Sequence, residues 1–167
     1  MNFTEPDHIQ MLRDTLKKFI KNEMPKSLVS KWDQEDYFPK DVFKKLVDLG
    51  VTSLTVPEEY GGSGVDMVAT IATIEELSSR SIGIASGFIQ CACYAGLNIL
   101  ESGSTEQKNE LLPRVANGEL LFSYGISEPD VGGDVASVST IARLENDEVI
   151  INGSKRWCSG ALIADYI

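Results

Sequence analysis

The stretch Tyr124-Gly125-Ile126-Ser127-Glu128-Pro129-Asp130-Val131-Gly132-Gly133-Asp134 divides this chain into two kinds of pattern. Up to Gly118 the apolar residues recur at helical spacing, and beyond it they take the spacing of strands. Within the stretch, an extended segment from Leu121 carries a hydroxyl at its end in Ser127, and Pro129 then breaks it. Gly132 and Gly133 allow close backbone approach, and Asp134 can cap the turn of chain after it. Taken alone, this describes equally an ordinary strand-to-loop transition and a ligand-facing loop.

Downstream, Val138 to Leu144 and Val149 to Asn152 flank Glu145-Asn146-Asp147, which predicts a hairpin. Asn152-Gly153 is a second turn signal, with a further strand expected over Ser154 to Ser159 and the start of another at Asp165-Tyr166-Ile167. Upstream, Ser104 and Gln107 have capping-box spacing for a helix through Val115 that stops at Asn117-Gly118. A largely apolar helix is expected from about Ile82 to Leu100, buried because it is apolar almost all round. Met67 to Ser79 predicts another. Pro39 can open a helix with Val42, Phe43, Leu46 and Leu49 inward and Gly50 as its stop. Ile9, Leu12, Leu16, Phe19 and Ile20 mark the buried face of a first helix ending near Pro25. Between helices, Val51 to Pro57 reads as an extended connector. Gly61-Gly62-Ser63-Gly64 lacks the Lys-Ser/Thr of a P-loop, and Met67 stands where a dinucleotide fingerprint needs its third Gly. A tight turn is the better reading than a phosphate cradle. The fold class expected is α+β: an all-α helical domain over residues 1–119, then an incomplete antiparallel β domain over 120–167.

Composition narrows the function classes. A net charge of −10 without a basic block argues against nucleic acid as a partner. No apolar run is expected to reach the roughly 18–20 residues of a membrane span. The acidic start, Met1 to Asp7, resembles neither a secretory signal nor a transit peptide, so a cytoplasmic protein is the default. Cys91, Cys93 and Cys158 have no disulfide spacing. On a helix, Cys91 and Cys93 point about 200° apart and cannot share a metal, so no metal site is expected. The single histidine, His8, reads as a solvated or capping residue.

Three segments together resemble the acyl-CoA dehydrogenase family. Tyr124 to Asp134 is similar to its Thr-Glu-Pro signature, Pro57-Glu58-Glu59-Tyr60-Gly61-Gly62 to the loop after its second helices, and Ile151-Asn152-Gly153-Ser154-Lys155-Arg156-Trp157 to its Asn-Gly-x-Lys-x-Trp strand. They occur in the family's order, at about its separations, and the resemblance covers the whole chain.

The resemblance implies a helical domain, a middle β domain and a C-terminal four-helix bundle, the last absent from this chain. It implies FAD, with Tyr124 to Gly133 touching the flavin. Ser127 and the N–H groups near Ile126 would bond the pyrimidine side of its ring and stabilise charge that develops there on reduction. Gly132, Gly133 and Cys158 fall on the same cofactor-facing segments, Trp157 would pack beside the ring, and Ser159 corresponds to a hydroxyl near the reactive nitrogen. Ser86, Gln90 and Tyr94, four apart on one helix face, correspond to positions that line the acyl pocket, and their polarity suggests a short or functionalised acyl group; Gly133 corresponds to a thioester-contacting position. The implied reaction is α,β-dehydrogenation of an acyl thioester of fatty-acid metabolism, with an electron-transfer partner and a homo-oligomer when full length. No residue here matches the family's catalytic base, and Glu128 is expected to be structural. This chain alone is therefore expected to be inactive.

Two departures keep alternatives open. Gly133 stands where the family usually has Ser, which removes one hydrogen bond of about 0.5–1.5 kcal/mol. Cys158-Ser159-Gly160-Ala161 replaces the usual Ile-Thr-Asn-Gly. Carrier-protein thioester dehydrogenases and flavin oxidases or monooxygenases of the same fold remain rivals to a CoA enzyme. A non-catalytic binding or partner subunit is the rival of another class.

Overall fold

A computed structural model describes residues 4–167. Met1 to Phe3, part of the acidic N-terminal stretch, lie outside the described residues. The chain forms two compact units, the first running to Leu121 and the second from Phe122 to Ile167.

The first unit is helical. Helix α1 (Asp7–Glu23) buries Ile9, Leu16, Phe19 and Ile20, the face its spacing predicts. It packs along α4 (Met67–Ser78), where Ile9, Ala69 and Ala72 form one cluster with Leu12 and Leu54 beside them. Arg13 locks the same pair of helices. Its guanidinium donates to Glu5, Glu75 and Glu76 at 2.6–3.1 Å, and these carboxylates hold its pKa above the usual arginine range. Replacing Arg13 by Met is expected to cost about 1–2 kcal/mol, because three carboxylates lose their shared cation but remain partly solvated. Chemical denaturation of the variant measures it. A loss below about 0.3 kcal/mol would reduce the cluster to solvated surface charge.

Helix α2 (Lys26–Gln34), which follows Pro25, is absent from the sequence expectation. Its only buried residue is Trp32, so it shows almost no periodic apolar stripe to read. Helix α3 (Lys40–Val47) turns Val42, Phe43 and Leu46 inward, as expected, and Gly50 stops the chain at φ +80°. Leu49 corrects the expectation: it lies past the last helical turn and is exposed.

The connector from Val51 is not extended. Val51–Thr55 forms a 3₁₀ turn whose β-branched residues are buried. The reason is the demand of helix carbonyls for donors: Thr52 Oγ1 donates to the Ala116 carbonyl at 2.8 Å and Thr55 Oγ1 to that of Ala92 at 2.7 Å. The glycine loop after it is a turn. Its N–H groups are spent internally, Gly62 on Pro57, Ser63 on Ser53 and Gly64 on Val56. A Cβ on Gly62 would run into the Val56 carbonyl. Nothing is left to cradle a phosphate.

Asp66 caps α4, accepting from the Ala69 N–H at 2.9 Å and bonding His8 at 3.1 Å; chiefly that N–H, aided by His8, holds its carboxyl below the usual range. The apolar helix spans Ile82–Ser102. It begins as α5 (Ile82–Phe88), widens to a π-helical segment over Ile89–Leu97 and ends as α6 (Asn98–Ser102). By length and composition it could cross a membrane, contrary to the expectation of no such run, yet more than half of it is buried inside the helical unit. Phe88, Ile84, Cys91, Ala92 and Ala95 are its core residues. Helix α7 (Thr105–Ala116) opens on the complete Ser104–Gln107 capping box and closes at Gly118, φ +65°.

The second unit holds the predicted hairpin. Strands β1 (Ile141–Glu145) and β2 (Glu148–Asn152) pair antiparallel, Ile141 opposite Asn152 and Glu145 opposite Glu148. Asn146 and Asp147 both take positive φ, the two-residue turn that suits strand twist. The other expected strands do not form ladders. Leu121 to Ser127 and the final residues meet at the Phe122–Tyr166 bridge, with rings 5.0 Å apart and the Ser123 N–H donating to the Tyr166 carbonyl at 2.9 Å. Ser154 to Ser159 is interrupted by Trp157, whose φ of +62° no strand accommodates.

Candidate functional site

Pro129 and the two glycines keep Ser127–Asp134 out of any ladder, so the loop is shaped by side chains. The Glu128 and Val131 backbones exchange hydrogen bonds at 2.8 and 3.2 Å, closing a small turn around Pro129-Asp130. The Glu128 carboxylate turns inward, its side chain 3% exposed. Oε2 accepts from the Ser139 N–H and hydroxyl at 2.8 and 2.6 Å. Oε1 accepts from the Thr140 N–H and from Lys155 Nζ, both at 2.9 Å. These donors, led by the Ser139 hydroxyl, hold the carboxyl far below its ordinary pKa of 4.5. Glu128 is thus an anion with both carboxylate oxygens engaged by donors.

A carboxyl whose folded pKa is depressed, as here, stabilises the fold fully above its unfolded value near 4.5. That contribution fades only as the pH falls below it. The stability gap between the native protein and Glu128→Gln is therefore expected to be constant from about pH 8 to about pH 5 and to shrink below pH 4.5. Denaturant titrations across that range measure the gap; one that changes between pH 8 and pH 5 would mean another group titrates against Lys155.

Opposite this inward carboxylate, the outward face of the loop is open. Ile126 is exposed, Ser127 is half-buried, and a Cβ added at Gly132 or Gly133 would meet nothing. Among the described residues, the N–H groups of Ile126, Ser127, Gly132 and Gly133 meet no protein acceptor. Lys155 Nζ donates to the Ile126 carbonyl at 3.0 Å and the Arg156 N–H to the Ser127 carbonyl at 2.8 Å, fastening the segment before Trp157 to the loop. Trp157 itself is 75% exposed in a left-handed conformation, with the Arg156 guanidinium 4.8 Å from its ring centre. Ser159 donates its N–H to the Trp157 carbonyl, and its own carbonyl accepts from the Ser123 hydroxyl, both at 2.9 Å. Cys158 is half-buried beside Gly125, and Tyr124 is half-buried at the loop's entry. All the cofactor-facing residues expected from the sequence therefore lie in the second unit.

The residues expected at an acyl group lie in the helical unit. Gln90 is buried in the π-helical segment, its Nε2 donating to Ser86 Oγ at 3.3 Å while its Oε1 has no hydrogen-bond partner among the described residues. Tyr94 comes one turn later, half-buried. Among the described residues no group of three or more His, Cys, Asp or Glu side chains could hold a metal ion.

Residues 6–119 match the family described as acyl-CoA dehydrogenase, N-terminal domain, and residues 123–167 its middle domain. The chain belongs to the acyl-CoA dehydrogenase family. The glutaryl-CoA dehydrogenase of Desulfococcus multivorans is 32% identical over an alignment of 170 positions that covers 100% of this chain and 43% of that protein. Butyryl-CoA dehydrogenase from Megasphaera elsdenii superposes with a TM-score of 0.88 at 28% identity, covering 99% of this chain and 44% of that one. The acyl-CoA dehydrogenase complexed with FAD from Bacillus anthracis gives 0.82 at 30% identity, over 98% of this chain and 28% of that one. The chain spans less than half the length of each of these relatives.

Two residues outside this acyl-CoA dehydrogenase loop, Lys155 and Ser139, hold its Glu128, a role not legible in the sequence. Charge complementarity between Glu128 and Lys155 is a signal, but 27 positions separate them, and only folding brings them together. Ser139 offers no signal of its own.

Proposed function

We propose that this chain supplies the helical and middle-domain portions of a flavin-dependent dehydrogenase that introduces an α,β double bond into an acyl thioester. The domains are assigned to residues 1–119 and 120–167. One observation carries the reading: the Trp157 indole stands exposed in a strained left-handed backbone beside a partly exposed loop four of whose N–H groups meet no acceptor among the described residues. A left-handed non-glycine residue costs about 1–2 kcal/mol, which the exposed Arg156 contact, worth about 0.5–1 kcal/mol, offsets only in part unless a ligand covers the indole.

FAD fits these residues. The exposed Ile126 and Trp157 side chains suit a flat apolar ring, and the Ile126, Ser127, Gly132 and Gly133 N–H groups suit its polar edge. Tyr124, Cys158 and Ser159 complete the cofactor-facing set. FAD would supply the two-electron acceptor for the reaction. The chain's own contribution is to orient the ring and to place donors where negative charge develops on reduction. None of residues 4–167 is assigned as the catalytic base.

Ser86, Gln90, Tyr94 and Gly133 are assigned to the thioester substrate. The unpartnered Gln90 Oε1 favours a short or functionalised acyl group able to donate a hydrogen bond. Gly133 lacks the side-chain hydrogen bond that the Ser usual at this position gives a CoA thioester ligand, and this favours a second reading, a carrier-protein thioester or an oxidase of the same fold. An electron-transfer partner, a homo-oligomer and a cytoplasmic setting accompany the leading reading.

The test is the visible spectrum of the full-length protein. Bound flavin is expected, bleached by a short-chain acyl-CoA without oxygen. Full-length protein that neither copurifies with flavin nor binds added FAD would sink the reading.

A further inference from the structure

Glu128 joins three separate stretches of the second unit. It closes the turn with Val131, its carboxylate takes donors from Ser139 and Thr140, and Lys155 bridges it to the Ile126 carbonyl. The residue after Lys155 bonds the Ser127 carbonyl and carries its guanidinium over the Trp157 ring. One buried anion thus determines where the Ile126 and Ser127 donors and the indole stand relative to each other.

We propose that Glu128, acting with Lys155, is the positioning residue of the flavin site, holding the loop donors and the Trp157 indole in their ligand-ready arrangement before FAD binds. This rests on the FAD reading of the site. The physical basis is preorganisation: a loop rich in glycine and free of ladder bonds would otherwise lose much conformational freedom on binding. The Glu128 side chain is itself 3% exposed and its carboxylate oxygens are taken by Ser139, Thr140 and Lys155, so it acts through the loop and not on the cofactor.

A filler role predicts something different. If Glu128 only occupied volume, an apolar side chain of similar size would serve as well. The experiment therefore compares Glu128→Gln, Glu128→Met and Lys155→Met in the full-length protein. Three quantities are read: the Kd for FAD, the two-electron potential of the bound flavin, and amide exchange over residues 126–133 in the flavin-free protein.

Glu128→Met is expected to weaken FAD binding about tenfold, the scale of one charge-assisted hydrogen bond. It should also speed loop exchange about tenfold and move the potential negative as the donors lose their aim. Glu128→Gln, which keeps an acceptor oxygen, should recover part of all three, and Lys155→Met should fall between them. Its side chain is 27% exposed, so that variant keeps the test open if a Glu128 substitution does not fold. Glu128→Met or Lys155→Met matching the native protein in loop exchange overturns the proposal, as does an FAD effect without faster exchange. If the native full-length protein binds no FAD, the reading of function fails instead, and loop exchange in the flavin-free variants still decides the positioning role.

Discussion

Truncating Phe88 to alanine is expected to destabilise the helical unit by about 3–5 kcal/mol, a large share of the roughly 5–15 kcal/mol that holds a typical domain folded. Phe88 is fully buried at the junction where the central helix passes from α to π geometry. Next to it, a Cβ on Gly87 would collide with the Phe38 ring, so the helix is closely packed on that side as well. The transfer cost of the lost ring and the cost of the void therefore add. Phe88→Leu, which retains most of the volume, should cost less than about 1.5 kcal/mol. Denaturant unfolding followed by helical circular dichroism reads both, and a loss below about 1 kcal/mol for Phe88→Ala would mean the site collapses freely.

Replacing Trp157 by glycine is expected to move two properties independently in the full-length protein. Flavin affinity should fall at least about tenfold, since covering an indole contributes about 1.5–3 kcal/mol. Stability of the flavin-free protein should change by less than about 1 kcal/mol. Glycine relieves the left-handed backbone at φ +62°, which offsets the lost Arg156 stacking and glycine's greater freedom when unfolded. Trp157→Phe, keeping an aromatic face, should recover part of the affinity. A variant that unfolds readily yet binds FAD normally would make Trp157 an ordinary packing residue.

How far the sequence can be read differs by element. Helix α1 declares itself because four of its buried residues repeat on one face, whereas α2 buries only Trp32 and gives no period. Ser104 and Gln107 form their capping box within four residues, so local chemistry suffices. Val51–Thr55 misleads for the opposite reason. Its β-branched residues look extended, but Thr52 and Thr55 serve carbonyls 64 and 37 positions away. In the second unit the hairpin is legible from its turn, while Ser154 to Ser159 has strand-like composition but no ladder.

The loop at Tyr124 to Asp134 shows the same division at the site itself. From the residues alone come its place between helical and strand-forming segments, its break at Pro129, its open glycines and the family resemblance, because each depends on near neighbours in the chain. The tertiary structure alone decided that Glu128 is a fully engaged anion, that Lys155 rather than another cation meets it, and that Trp157 faces outward. Those depend on contacts 11 to 29 residues apart and on one unusual backbone angle, and neither residue type nor periodicity encodes them.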